Sequence, residues 1–251
     1  MRSSSSHSRE SISGGCPVAC GVPEITSVNV SASSDTGASV VKVSIRFSSP
    51  LSLLFHSVVI IAGRLCKALG MEVIAYTASP RTTPESKRDM GYIVPGTGDV
   101  DGTIPLAWYS GVDKASLHNF LKQDIDVLLV AVPLTDQTRH SLGKEEFKIL
   151  GKKNAFVINI ARGSIIVQDD LIAALKKKEG GLRGAALDVT DPEPLNPESE
   201  LWEMDNVAIT PHNSGSGSSY VERSFQVLER NLTHLEQGQR LINVVNRKRG
   251  Y

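Results

Sequence analysis

Three side chains of this 251-residue chain have types and positions that would do chemistry together. Arg162 stands between Ala161 and Gly163, directly after an apolar run at 156–160. Glu193 lies between Pro192 and Pro194, shortly after Asp188 closes a second run at 184–187. His212 follows Thr210 and Pro211 at the end of a third, 207–209. A guanidinium presents a planar fork to a carboxylate and polarises a carbonyl next to it. An imidazole donates a proton to a carbonyl oxygen as hydride reaches its carbon, or removes that proton in reverse. A glutamate hydrogen-bonded to the imidazole holds the ring in one orientation. The set suits hydride transfer at a carbon beside a carboxylate, the hydride itself coming from a redox cofactor. Singly, each has a plainer reading: Arg162 as a solvated loop cation, Glu193 as a rigid loop carboxylate, His212 as a satisfied loop histidine, Asp188 as a turn cap. Their occurrence in order, each at the end of an apolar run, favours the joint reading.

The elements that must position them alternate. Strand-like runs at 72–76, 127–132, 155–160, 184–187 and 207–209 are interleaved with helical segments at 64–69, 114–122, 144–150 and 168–178. A long helix at 219–236 closes the pattern. Apolar runs without polar alternation suit parallel strands buried on both faces. The predicted fold is α/β, a doubly wound parallel sheet, in which ligands sit beyond the carboxyl ends of the strands. The apolar run 53–62 predicts a buried strand, with 57–62 the favoured first strand of the sheet and 40–45 the weaker candidate. Segment 95–112, carrying Trp108 and Tyr109, is expected to be a long connection that contacts a second subunit. Residues 1–50, rich in Ser and Gly, predict a disordered or non-native segment, 51–240 a nucleotide-binding domain and 241–251 a tail.

Lys+Arg and Asp+Glu balance at 27 each, which gives no electrostatic footprint for nucleic acid. The apolar run is about half a membrane span, so no membrane partner is expected. Three cysteines in no ligand spacing predict no metal site and no disulfide framework, and hence a cytoplasmic location.

Four ordered segments are similar to the signatures of the D-isomer-specific 2-hydroxyacid dehydrogenases. They are Val132-Pro133-Leu134-Thr135 with Thr138-Arg139-His140, Ala161-Arg162-Gly163, Ala186-Leu187-Asp188-Val189 with Glu193-Pro194-Leu195, and Thr210-Pro211-His212 with Gly215. The resemblance covers residues 64–251. It implies a Rossmann-type NAD(P)-binding domain, catalytic Arg162, Glu193 and His212, and a small 2-keto or 2-hydroxy acid substrate such as glyoxylate or hydroxypyruvate. Val132, Pro133, Ile160, Ala161 and Asp188 would line the nicotinamide side, and a homodimer is expected. At the end of the second strand, NAD-preferring proteins carry an acid. Here Thr77 takes that place, with Ser79 and Arg81 after it to receive a 2′-phosphate, so NADP is favoured over NAD. The plainer reading of Arg81 is a residue of the polar loop 81–88.

The family's front is not matched. Its glycine-rich phosphate loop would fall where Leu54, His56 and Val59 stand, and residues 1–50 resemble no substrate domain. Codons for Val-Gly-Ile-Leu-Gly-Tyr-Gly-Ser-Ile-Gly-Arg-Gln, read one nucleotide later, also encode residues 31–42 of this chain. Residues 1–42 are therefore expected to be a wrong-frame reading and 43–63 a retained intron; a transcript in the same frame through 43–63 would refute this. Weak cofactor binding and impaired turnover follow. The competing expectation is a non-catalytic remnant that binds nucleotide or a partner.

Overall fold

The computed structural model describes residues 42–47, 53–88, 93, 98–217 and 219–244, with side chains from residue 60 onward. What the sequence predicts for residues 1–41 and 245–251 lies outside the described residues. The chain runs β1 (Lys42–Phe47), α1 (Leu53–Ala68), β2 (Glu72–Thr77), α2 (Pro84–Lys87), β3 (Ala107–Ser110), α3 (Lys114–Leu121), β4 (Val127–Ala131) and α4 (Lys144–Leu150). It continues with β5 (Phe156–Asn159), α5 (Gln168–Leu175), β6 (Gly184–Leu187), β7 (Val207–Ile209) and α6 (Tyr220–Glu236). The seven strands pair in the order β3-β2-β1-β4-β5-β6-β7, and every pairing is parallel. The expected doubly wound sheet is therefore present, its order reversing between β1 and β4.

Strand alternation divides the core between two faces. Ile74, Tyr76, Leu128, Val130, Val157 and Leu187 enter one cluster with Phe120, Phe147 and Leu150 from the helices. Val73, Ala75, Leu129 and Ala131 enter the other with Ile60. Both faces are covered, which is why these strands lack polar alternation.

Two expectations are corrected. The favoured run 57–62 lies inside helix α1, and the first strand is Lys42–Phe47, which overlaps the weaker candidate 40–45. A short apolar run is compatible with either a buried strand or a buried helix, and length arbitrates between them. Here the run continues through Arg64 to Ala68, sixteen residues in all, and Gly70 closes it at φ +79°. Positions Leu54, His56 and Val59 thus belong to helix α1, and residues 48–52, between β1 and α1, lie outside the described residues.

The segment 95–112 is the second correction. Residues 107–110 of it form β3, an edge strand of the sheet. Tyr109 packs 5.6 Å from the Phe120 ring and donates its hydroxyl to Gln123 Oε1 at 2.9 Å, while Trp108 packs on the opposite face. Both aromatics, half-buried, pack against the chain's own core clusters. Their strand has only four residues, too few to show a period, which hid it from a periodicity reading.

Helices α3 and α4 are joined through a buried carboxylate. Glu146 accepts from Lys114 Nζ at 2.8 Å, His118 Nε2 at 2.6 Å and the Gly143 amide at 3.0 Å. Burial alone would raise its pKa, but these bonds outweigh it and hold the carboxyl at about 2. A folded pKa below the unfolded value means stability that is full above pH 4.5 and is lost as pH falls toward 2. The contribution is on the order of 3 kcal/mol. Urea denaturation at a series of acidic pH values is expected to show this loss, and Glu146→Gln to flatten that limb while lowering stability at neutral pH.

Candidate active site

Parallel strands bring their carboxyl ends to one edge, and the register sets them level. Asn159 of β5 pairs with Leu187 of β6, which pairs with Ile209 of β7. The residues that follow each strand, 160–163, 188–193 and 210–212, therefore emerge side by side. The three candidate segments, separated by 50 residues of sequence, become neighbours because of this ladder.

Glu193 and His212 meet directly: His212 Nδ1 lies 2.6 Å from Glu193 Oε1. Both remain partly open to solvent, so a substrate can reach the free Nε2 side of the ring. The ring is held by its loop. His212 has φ +51°, a left-handed conformation costly for a residue with a β-carbon, and the loop must supply what fixes it. Its amide donates to the Asp188 carbonyl at 2.9 Å. The Asp188 carboxylate accepts from the Thr210 hydroxyl at 2.5 Å, the Asn213 amide at 2.9 Å and the Ser214 amide at 3.0 Å. Burial opposes its ionisation, but these donors win and keep the carboxyl below the ordinary range.

Arg162 is exposed at the start of a 3-10 turn, Gly163–Ile165, and donates to the Ala161 carbonyl at 2.6 Å. Asn159, buried at the last position of β5, shapes this turn. Its Oδ1 accepts from the Ala161 amide and its Nδ2 donates to the Arg162 carbonyl, both at 3.0 Å. The sequence reading missed Asn159; the signal was one amide inside an otherwise apolar strand. Thr210, which caps Asp188, was likewise passed over.

The Arg162 and Glu193 segments are locked together. Ser164 Oγ donates to Asp191 Oδ2 at 2.5 Å, and a β-carbon on Gly163 would sit 1.9 Å from the Thr190 carbonyl oxygen. Only glycine permits that approach. Gly163→Ala is expected to cost about 2–3 kcal/mol, a fall of about 5–10 °C in Tm by calorimetry.

The expected cofactor residues divide by accessibility. Thr77, Val132, Ala161 and Asp188 are buried, and the Thr77 hydroxyl is committed to the Ser79 carbonyl at 2.7 Å. Thr77 thus shapes the turn after β2. Ser79 is exposed, and Arg81, Pro133 and Ile160 are half-buried. Arg81 also donates to the Ser86 carbonyl, which tethers it in the loop 81–88. The nicotinamide edge, at the ends of β4, β5 and β6, fits such a group. The phosphate end fits less well: residues 48–52, Ser-Ser-Pro-Leu-Ser, contain no glycine to let a backbone approach a pyrophosphate. Among the described residues no cluster of His, Cys, Asp or Glu is suited to hold a metal, and no helix is long and apolar enough to cross a membrane.

Residues 105–214 match the family model described as D-isomer specific 2-hydroxyacid dehydrogenase, NAD binding domain. A glyoxylate reductase of Aeropyrum pernix is 38% identical over 138 residues, which is 55% of this chain and 40% of that protein. Among solved structures, a D-isomer specific 2-hydroxyacid dehydrogenase of Xanthobacter autotrophicus Py2, in complex with NADPH and MES, superposes with a TM-score of 0.63. It is 26% identical, and the alignment covers 84% of this chain and 73% of that one. An NADPH-dependent glyoxylate/hydroxypyruvate reductase of Sinorhizobium meliloti, in complex with NADP and sulfate, gives a TM-score of 0.60 at 30% identity, covering 84% and 57%. The chain spans about half or less of the length of the curated relatives it matches.

Proposed function

Residues 105–214 carry the NAD-binding domain of the D-isomer specific 2-hydroxyacid dehydrogenases, and on that premise we propose that the chain is built for NADP-dependent interconversion of a small 2-keto acid and its 2-hydroxy acid. The observation that carries the reading is the 2.6 Å His212–Glu193 pair, set at the same sheet edge as Arg162. Arg162 takes the substrate carboxylate and draws charge from the neighbouring carbonyl. His212 gives its Nε2 proton to the carbonyl oxygen, and Glu193 at Nδ1 holds the ring for that transfer and stabilises its charged form. The cofactor supplies the hydride. Ser79 and Arg81 would hold its 2′-phosphate, Pro133 and Ile160 would face the nicotinamide, and Thr77, Val132, Ala161 and Asp188 would shape the walls behind them.

Glyoxylate and hydroxypyruvate are the substrates to try, since the names of the relatives include both. Without glycine at 48–52 the cofactor is held weakly and turnover is impaired. The balanced charge supports a protein that works without nucleic acid, and three cysteines in no disulfide spacing support a cytoplasmic one. The reading as a non-catalytic remnant is not favoured, because relatives in both comparisons include proteins named as dehydrogenases or reductases. The test is steady-state NADPH oxidation with each keto acid. Turnover is expected to be measurable and to favour NADPH over NADH, and Arg162→Ala to raise KM for the keto acid about 100-fold. No turnover with either cofactor would overturn the proposal.

A further inference from the structure

Packing does not place the glutamate that holds the imidazole. Residues 191–194, with Glu193 among them, are all exposed, between buried Val189 and buried Leu195. Bonds must place it instead, and the frame that offers one is the 3-10 turn Gly163–Ile165 beside Arg162. That turn is held firmly. The Ser164 carbonyl accepts from the His140 amide at 2.8 Å, the Ile165 carbonyl accepts from the Leu142 amide at 3.2 Å, and Ile165 is fully buried. From this frame the Ser164 hydroxyl donates to Asp191 Oδ2 at 2.5 Å. Ser164 lies two residues from Arg162, and Asp191 lies two residues from Glu193. Between Asp191 and Glu193 the chain is stiff. Pro192 fixes its own φ, and Asp191 and Glu193 are each restricted by the proline that follows. The Thr190 hydroxyl also donates to the Pro192 carbonyl at 2.9 Å. A shift at Asp191 is thus carried to Glu193 rather than absorbed on the way.

We infer that Ser164 and Asp191 are positioning residues, a clip across two loops that fixes the span between the Arg162 fork and the His212 proton donor. The inference rests on the proposed keto-acid chemistry, in which Arg162 takes the carboxylate and His212 the carbonyl oxygen of one substrate. Those two groups sit on adjacent carbons of a 2-keto acid, so the span allows little slack. A misplacement of about 1 Å can cost about 100-fold in rate. Gly163 against the Thr190 carbonyl sets how closely the two backbones approach, and the clip sets where Glu193 lies along that approach. Asp191 moves no proton in this role; it supplies an acceptor tied to the frame that carries Arg162.

Steady-state kinetics of the full chain with NADPH and glyoxylate or hydroxypyruvate, beside NMR of the His212 imidazole, reads this out. Ser164→Ala and Asp191→Ala are each expected to lower kcat about 10-fold to 100-fold. KM for the keto acid should move less than about threefold, since Arg162 itself is untouched. Loss of a bond with a structural role alone would lower Tm and leave the kcat of the folded chain as it was. The double variant should lose no more than either single one, the mark of two groups acting as one contact. Ser164→Thr keeps the hydroxyl and should recover most of the loss. In both alanine variants the imidazole signals should lose the signature of the Glu193 contact. That signal needs no turnover. If the parent chain reduces neither keto acid, the catalytic reading falls, and loss or retention of the signal still decides whether the clip holds Glu193. Unchanged kcat in the alanine variants of an active parent, additive losses in the double variant, or an imidazole signal that survives both substitutions would overturn the inference.

Discussion

His212→Ala is expected to lower NADPH-dependent reduction of glyoxylate or hydroxypyruvate by 10²–10⁴-fold, the usual weight of a positioned general acid. The loss should fall on kcat, because the ring acts on the carbonyl oxygen only as hydride arrives. Glu193→Gln keeps a group of the same shape beside Nδ1 but removes the charge, so a smaller loss of about tenfold to 100-fold is expected. Thermal melts should barely move in either variant, since both side chains are partly open to solvent and neither fills the core. Equal residual turnover in the parent and in His212→Ala would assign the rate to something other than this pair.

Asp188→Ala is expected to cost about 3 kcal/mol and to scatter the site at the same time. The substitution strips acceptors from the Thr210 hydroxyl and from the Asn213 and Ser214 amides. His212 sits between these donors in a left-handed conformation that the loop alone would not keep. Urea denaturation should show the lost stability, and the imidazole NMR signals of His212 should lose the signature of the Glu193 contact. Asp188→Asn retains one acceptor oxygen and should fall between the two. A stable variant with an unchanged imidazole environment would mean that Asp188 does not position the loop. Because its folded pKa is depressed, this clamp also weakens as pH drops below the ordinary carboxylate range, in parallel with Glu146.

The chemistry was legible in one dimension because it sits at strand ends. Apolar runs such as 127–131 and 184–187 are strands buried on both faces, and a parallel sheet presents whatever follows each strand at one edge. Residue type and order were enough to nominate Arg162, Glu193 and His212 and to give the α/β class. Local rules sufficed elsewhere too: Gly70 ends α1, and the long amphipathic run gives α6.

Tertiary structure decided what depends on pairing. Whether 57–62 or 40–45 held the first strand rested on which run β2 and β4 accept as a neighbour, and an apolar run of that length suits helix and strand alike. β3 escaped notice because four residues carry little periodicity, and only the ladder to β2 defines them. Asp188 was nominated for the cofactor, yet its carboxylate is filled by donors from residues 210–214, a contact across more than twenty positions that no local spacing encodes. The same holds for Gly163, whose identity is set by the Thr190 carbonyl pressed against it. Composition and order determine which groups are present and at which edge they emerge, because those follow from short-range periodicity. Which group holds which depends on long-range contacts, and those exist only once the sheet has closed its register.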